Sequence, residues 1–258
     1  MLPAMPTPAI GIIPTRLGST RFPRKALAAE TGLPLVIHAL RRAELARRLS
    51  RVVVAVPGGD GELLECVRRH GGEVVATRED HPNGTSRVAE AIEQLDPRGS
   101  EFPIVVNIQG DEPMIDPAQI DLAVECLDAD RGAGISTLAC PFGPEDDPAD
   151  PNLVKAVLSA AGRAIYFSRA CVPFQRDAAD PTPLRHRHLG LYAYRREPLR
   201  QLAALPESPL ERAERLEQLR ALEHGIAIAA AVVERAEGGI DTPEQYAAFV
   251  ARWRARGE

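Results

Sequence analysis

The sequence predicts an α/β fold: a doubly wound, mostly parallel sheet with a smaller mixed or antiparallel lobe inserted late in the chain. Three observations carry this. The run 10–13 is apolar at its isoleucines and suits a strand covered on both faces, and further strand-like runs stand at 51–56, 104–109 and 135–140. Segments with helical spacing of apolar residues lie between them, and such alternation builds a parallel sheet with right-handed crossovers. Beyond Pro141 the alternation stops and short strands follow one another.

Taken in order, the run 10–13 makes the first strand, closed by Pro14, which has no N–H for a ladder. Leu35, Ile37, Leu40, Ala43, Leu45 and Ala46 among basic residues predict a helix over 34–48. The strand 51–56 follows, then a turn over Pro57, Gly58, Gly59, Asp60 and Gly61 and a helix to His70, which Gly71 and Gly72 end. A short strand at 73–76, a helix at 85–95 and the strongest strand, 104–109, come next, followed by a helix at 117–127 and the strand 135–140. The proline-rich acidic loop 144–151 opens the change of rhythm, with short strands at 154–158, 165–167 and 189–194. A helix over 211–224, a strand over 226–233 and a helix over 242–253, capped by Thr242 with Pro243 in its first turn, complete the chain. Residues 1–258 therefore read as a single domain, with a lobe at about 141–224.

The 258 residues suffice for a sizeable core, and 45% hydrophobic with 26% charged residues is an ordinary globular balance that excludes general disorder. A net charge of -5 argues against a nucleic-acid partner, because the arginines are local rather than spread as a basic face. Cys66, Cys126, Cys140 and Cys171 are widely spaced, which suggests neither a zinc site nor a disulfide framework. Residues 1–8 read as a frayed lead-in rather than a signal peptide, and no apolar run is long enough to span a membrane. The expected location is the cytoplasm.

The stretch 10–25 carries the chemistry. Its strand opens into a loop in which Gly18, Ser19 and Thr20 lie among Arg16, Arg21, Arg24 and Lys25, small residues and cations that suit a polyphosphate. The plain alternative is a solvated loop of surface arginines. Its place beyond the carboxyl end of the first strand favours a ligand, since open α/β sheets bind there. Neither a Walker loop nor a Gly-x-Gly-x-x-Gly fingerprint is present. Asp111 ends the strongest strand, where a carboxylate can meet phosphates through a metal ion. Mg²⁺ prefers one or two carboxylates with phosphate oxygens and water, so a second aspartate is expected, and Asp241 before the closing helix is the candidate. As structural residues these two would be a turn former and a neighbour of the cap. The polar turn 81–87 can offer Asn83, Gly84 and Thr85 to a base edge, or serve only to cap its helix. Arg187 and His188, with 192–195, put cations beside a strand of the lobe.

Six motifs occur in order: Ile-Pro-Thr-Arg-Leu-Gly-Ser-Thr-Arg-Phe-Pro-Arg-Lys, Asp-His-Pro-Asn-Gly-Thr-Ser-Arg, Asn-Ile-Gln-Gly-Asp-Glu-Pro, Tyr-Phe-Ser-Arg, Arg-His-Leu-Gly-Leu-Tyr and Leu-Glu-Gln-Leu-Arg. Together they resemble the 3-deoxy-manno-octulosonate cytidylyltransferases, or CMP-Kdo synthetases, over about 10–246. The resemblance implies a Rossmann-like nucleotidyltransferase fold with a dimerising insert, and condensation of CTP with Kdo to CMP-Kdo and pyrophosphate for lipopolysaccharide assembly. It further implies that Arg16, Ser19 and Lys25 hold the triphosphate, that Asn83, Gly84, Thr85 and Arg87 form the cytidine-side turn, and that Gln109 lies beside the metal ligand. Asp111 and Asp241 are the implied Mg²⁺ ligands and, with Lys25, the catalytic set. Arg169, His188, Tyr192, Glu217 and Gln218 match the sugar side. A homodimer with no membrane insertion is implied.

This chain departs from the family pattern in three places. Arg24 stands where the family usually has glycine, Val56 to Asp60 replaces a Thr-Asp-Asp type of ending, and Val-Pro-Phe-Gln-Arg at 172–176 replaces Ile-Pro-Trp-Asp-Arg. The alternatives are a cytidylyltransferase for 8-amino-Kdo or another sugar acid, a metal-dependent glycosyltransferase, and a sugar-nucleotide sensor without turnover.

Overall fold

The computed structural model describes residues 7–144, 146–176 and 185–255, so the lead-in expected over 1–8 falls outside them up to residue 6. The chain divides into two compact units, Met1–Asp121 with Glu237–Glu258, and Leu122–Ala236. Among the described residues no helix is long and apolar enough to cross a membrane.

In the first unit β1 (Ala9–Pro14), β2 (Leu49–Pro57), β3 (Val74–Thr77) and β4 (Ile104–Asn107) lie in the order β3-β2-β1-β4, parallel throughout. Ile10, Ile12 and Ile13 of the central strand have no exposure, which accounts for a run without polar alternation. At Gly11 a Cβ would come within 2.7 Å of Leu49 Cδ1 and 3.0 Å of Ile108 Cδ1, so glycine here lets its neighbours close over the strand. The helices α1 (Leu35–Ala43), α2 (Gly61–Arg69) and α3 (Gly84–Leu95) join these strands. The first is shorter than its apolar spacing predicts. Past Ala43 the chain tightens, with Leu45 N–H on Arg42 O and Ala46 N–H on Ala43 O, and Leu45 is left exposed.

The closing helix, Pro243–Ala255, packs Tyr246, Phe249 and Val250 against Leu35 and Ile240. Its start is fixed by a reciprocal cap: Thr242 Oγ1 accepts the Gln245 N–H, while Gln245 Oε1 accepts the N–H groups of Asp241 and Thr242 at 2.7 and 3.1 Å. This cap sets the backbone of Asp241.

The helix α4 (Pro117–Ala129) contains the boundary between the units. In the second unit β5 (Ile135–Pro141) is followed by β6 (Lys155–Leu158), β7 (Ala164–Ser168), β8 (His186–Arg195) and β9 (Ile228–Val232). The strand β5 runs antiparallel to β8 and parallel to β9, while β6 is antiparallel to both β7 and β8. This is the mixed sheet that the short runs beyond Pro141 predict. A helix not predicted, α5 (Arg196–Ala204), follows β8 directly; Pro198 reads as a breaker but lies in the first turn, where a missing N–H costs nothing.

The helix predicted over 211–224 is two helices, α6 (Pro209–Glu214) and α7 (Gln218–Glu223). Arg215 between them has φ 54°, a left-handed conformation that ends α6. The break is held from outside, because Arg169 donates Nε–H to Glu214 O at 2.7 Å and an NH2 hydrogen to Arg215 O at 3.3 Å. Sequence spacing cannot register carbonyls satisfied by a side chain 45 residues away. The two helices are joined by a buried bidentate pair, Arg220 Nε to Glu211 Oε2 at 2.7 Å and NH2 to Oε1 at 2.5 Å. Burial works to raise the Glu211 carboxyl, and the Arg220 bonds outweigh it, so it titrates below its usual range. Its contribution to stability is present above the unfolded carboxyl range and is lost as pH falls through the lowered folded value. Removing one partner of such a pair leaves the other charge buried, so Glu211→Ala is expected to cost about 3–5 kcal/mol in urea unfolding at neutral pH; a loss below 1 kcal/mol would contradict this role.

Candidate active site

The carboxyl ends of the first unit's strands open on a cleft of about 380 Å³. Of the predicted residues Arg16, Ser19, Lys25, Asn83, Gly84, Arg87, Gln109, Asp111 and Asp241 line it. Thr85 does not; it is buried in the first turn of α3. Thr15, Arg21, His81 and Gly110 line the cleft as well. The signal for all four was their position in three of the quoted motifs. At Gly110 a Cβ would come 3.2 Å from Thr15 Cβ, so the loop after β1 and the loop after β4 approach at backbone distance.

Lys25 is the centre of the cleft. A loop lysine is ordinarily exposed, but the Lys25 side chain is only 14% exposed, and its Nζ lies 2.6 Å from Asp111 Oδ2 and 2.9 Å from Asp241 Oδ1. A third bond runs to Ile240 O at 2.9 Å. Burial alone would lower this ammonium; Asp111, and after it Asp241, outweigh burial and hold it above the usual lysine range. Arg21 adds an ion pair to Asp241 Oδ2 at 2.9 Å. The two loops are tied by their backbones too, with the Ile240 N–H on Asp111 O at 2.8 Å.

Two carboxylates that converge on one cation are a hard oxygen pair of the kind that suits Mg²⁺, provided phosphate oxygens and water complete the octahedron. Among the described residues no group of three or more His, Cys, Asp or Glu side chains gathers as a metal cage, so the remaining ligands of such an ion fall to substrate and water. The residues therefore fit a metal shared with a phosphate substrate.

The turn before α3 has a divided character. Asn83 caps the helix through Oδ1, which accepts the Ser86 N–H at 2.9 Å, and the residue lines the cleft. A Cβ on Gly84 would meet Pro14 Cγ at 3.2 Å, so this turn sits directly on the end of β1. Arg87 is buried, donating NH1 hydrogens to Thr77 Oγ1 at 2.5 Å and Arg78 O at 3.0 Å. Burial, and after it the neighbouring Arg16, disfavour its charge, which an anion in the cleft would relieve. His81 bonds through Nε2 to Glu90 Oε2 and anchors the turn from beneath.

The residues matched to the sugar side all lie in the second unit. His188 bonds through Nε2 to Thr137 Oγ1 at 3.0 Å and packs its ring between Phe167 and Tyr192, at 4.8 and 5.4 Å. Burial pushes its imidazole down to about 3, so it is neutral. The Thr137 hydroxyl lies 2.9 Å from Leu191 O and donates there, so its oxygen takes the His188 Nε2–H and leaves Nδ1 an acceptor. Burial, with Tyr194 and Glu217 adding to it, raises the Tyr192 phenol well above its ordinary value. Glu217 and Gln218, expected inside the helix 211–224, stand instead at its break, as the N-cap and first residue of α7, and Gln218 is buried. Arg169 also donates to Pro151 O at 2.7 Å, so three carbonyls share its guanidinium. In the altered segment 172–176, Phe174 is 86% exposed.

Comparison with known proteins matches residues 10–228 to a family model described as cytidylyltransferase. The 3-deoxy-manno-octulosonate cytidylyltransferase of Syntrophobacter fumaroxidans is 45% identical over 241 residues, 93% of this chain and 95% of that one. The enzyme of the same name from Nitrobacter winogradskyi is 46% identical over 90% of this chain and 88% of its own. A solved structure of a CMP:2-keto-3-deoxy-manno-octonic acid synthetase complexed with CTP superposes with a TM-score of 0.89 at 34% identity, covering 97% of this chain and 100% of that one.

A cleft of this charge is expected to bind a polyphosphate without any other substrate. Millimolar tripolyphosphate should raise the thermal midpoint of the protein, and the combined Arg16→Ala and Arg87→Met change should abolish the rise. An undiminished rise in that variant would show that the anion binds elsewhere.

Proposed function

This chain belongs to the 3-deoxy-manno-octulosonate cytidylyltransferase family, and from that premise we propose that it condenses CTP with Kdo, giving CMP-Kdo and pyrophosphate for lipopolysaccharide biosynthesis. The observation that carries the reading to these residues is the convergence of the loop cations, Lys25, Asp111 and Asp241 in one cleft. In the reaction the anomeric hydroxyl of Kdo forms a bond to the α-phosphorus of CTP, the bond to the β-phosphate oxygen breaks, pyrophosphate leaves and the hydroxyl proton is lost. The obstacle is charge, since a triphosphate repels an incoming oxygen unless cations spread its charge as the transition state forms.

The chain's own groups address that obstacle. Arg16, Arg21 and Lys25 supply fixed positive charge, and Ser19 a hydroxyl donor, along the path of the triphosphate. A phosphate oxygen competes with the carboxylates for Lys25 Nζ, so nucleotide binding exchanges one anionic partner of this ammonium for another. Asn83 is free to donate its amide hydrogens to the cytosine edge, its oxygen being held by the helix, and the near contact of Gly84 with Pro14 keeps that edge close. Asp111 and Asp241 would hold a Mg²⁺, which when bound neutralises phosphate charge and lowers the pKa of a coordinated oxygen. Arg169, His188, Tyr192, Glu217 and Gln218 are assigned to the sugar acid. A neutral His188 and a protonated Tyr192 suit hydroxyl recognition rather than ion pairing.

A homodimer belongs to the same reading, supported by the exposed Ile165, Phe174 and Val232 of the second unit. So does a cytoplasmic location, with which four free cysteines agree.

The test is pyrophosphate release from CTP with Kdo, 8-amino-Kdo and sialic acid in turn. Kdo should be turned over with the highest kcat/KM; a preference for 8-amino-Kdo would reassign the sugar, and no release with any acid would refute the reading. Asp111→Asn and Asp241→Asn should each lower turnover by about 10²- to 10³-fold. Because they act as a unit, the double change should cost little more than the worse single one. Losses that multiply would contradict a shared role.

A further inference from the structure

Asp60 occupies the N-cap position of α2 and is a residue type well suited to capping, yet its side chain accepts no N–H of that helix. Its carboxylate turns away instead and accepts the Leu17 N–H through Oδ2 at 2.9 Å, across 43 residues of sequence. The helix start is met by backbone alone, with the N–H groups of Leu63 and Leu64 on Asp60 O.

Leu17 is the hub of the loop between β1 and Lys25. Its carbonyl accepts the N–H groups of both Ser19, at 2.9 Å, and Arg24, at 3.2 Å, while its N–H goes to Asp60. The two peptide groups that flank the Leu17 Cα are thereby fixed, Arg16–Leu17 through its N–H and Leu17–Gly18 through its carbonyl, and Arg16 and Gly18 line the cleft. The second acid of the same helical turn, Glu62, takes the other end of the loop, pairing with Arg24 NH2 at 2.5 Å. Arg24 has φ 60°, the left-handed region that glycine adopts more readily, and its side chain carries this exposed pair from there. Asp60 itself does not line the cleft.

We propose that Asp60 is a positioning residue for the nucleotide: its carboxylate orients the Arg16–Leu17 peptide and, through the Leu17 backbone, sets the aim of Arg16 and Ser19 at the triphosphate. The assignment rests on the CTP reading above for its substrate, but the mechanical part stands on the loop. Without the acceptor, the Leu17 N–H has no fixed direction and the loop cations no fixed aim. The consequence falls on nucleotide binding rather than on the sugar, and the helix loses no side-chain cap because it has none.

The test compares Asp60→Ala and Asp60→Asn by steady-state kinetics and by hydrogen–deuterium exchange. In Asp60→Ala the KM for CTP should rise at least tenfold, with kcat and the KM for Kdo within about threefold and the thermal midpoint within a few degrees. Asp60→Asn keeps an acceptor oxygen and should restore KM to within about threefold of the parent protein. Amides of the loop 15–24 should exchange faster in Asp60→Ala and near normally in Asp60→Asn, whatever the substrate proves to be. An unchanged CTP KM, or a collapse of thermal stability that the Asn variant shares, would overturn the proposal. Unaltered loop exchange would overturn its mechanical part even if the parent protein failed to use CTP, a failure that would count against the CTP reading alone.

Discussion

One ammonium group holds the first unit's cleft together. Lys25 belongs to the loop after the first strand, Asp111 to the loop after β4 and Asp241 to the approach to the closing helix, yet Nζ lies within 2.9 Å of both carboxylates. Two acids at such a separation repel unless a cation lies between them, and the protein supplies it from a third segment. Their supports are built accordingly. The Ile240 N–H bonds to the Asp111 carbonyl, and Gln245 fixes the N–H of Asp241, so that the acids are placed by backbone before charge acts. Arrangements of this kind are preorganised for anions, since the cations are already aimed when phosphate arrives.

Much of this was legible from residues alone. The strand β1 and the strand ending near Asp111 are apolar runs bounded by Pro14 and Gly110, and the parallel topology then requires their carboxyl ends to share an edge, where the aspartates and the loop meet. Thr242 followed by Pro243 announced a helix start and so placed Asp241 just ahead of it. What stayed hidden depends on side chains that reach across the fold. The break at Arg215 is stabilised by Arg169, and no local preference reveals it. Asp60 carries an ordinary capping signature, and only the structure shows its carboxylate directed at Leu17. Lys25 looked exposed because a loop lysine usually is; its two acidic partners are distant in sequence.

The departures from the family pattern also acquire a physical sense. Arg24 replaces a glycine at a position with φ 60°, and the ion pair with Glu62 accompanies that substitution. The altered ending of β2 still delivers Asp60 to the loop. In the second unit the surroundings keep His188 neutral and the Tyr192 phenol protonated, whereas the first unit's cleft is lined by Arg16, Arg21, Lys25 and Arg87.

Whether this ammonium organises the cleft is measured by a double-mutant cycle of Lys25→Met and Asp111→Asn, read by urea unfolding at neutral pH. If the ammonium holds the two loops together, the pair is coupled, and the double variant is less destabilised than the sum of the singles by at least about 1 kcal/mol. Additivity to within about 0.3–0.5 kcal/mol would mean that the contact does not organise the cleft.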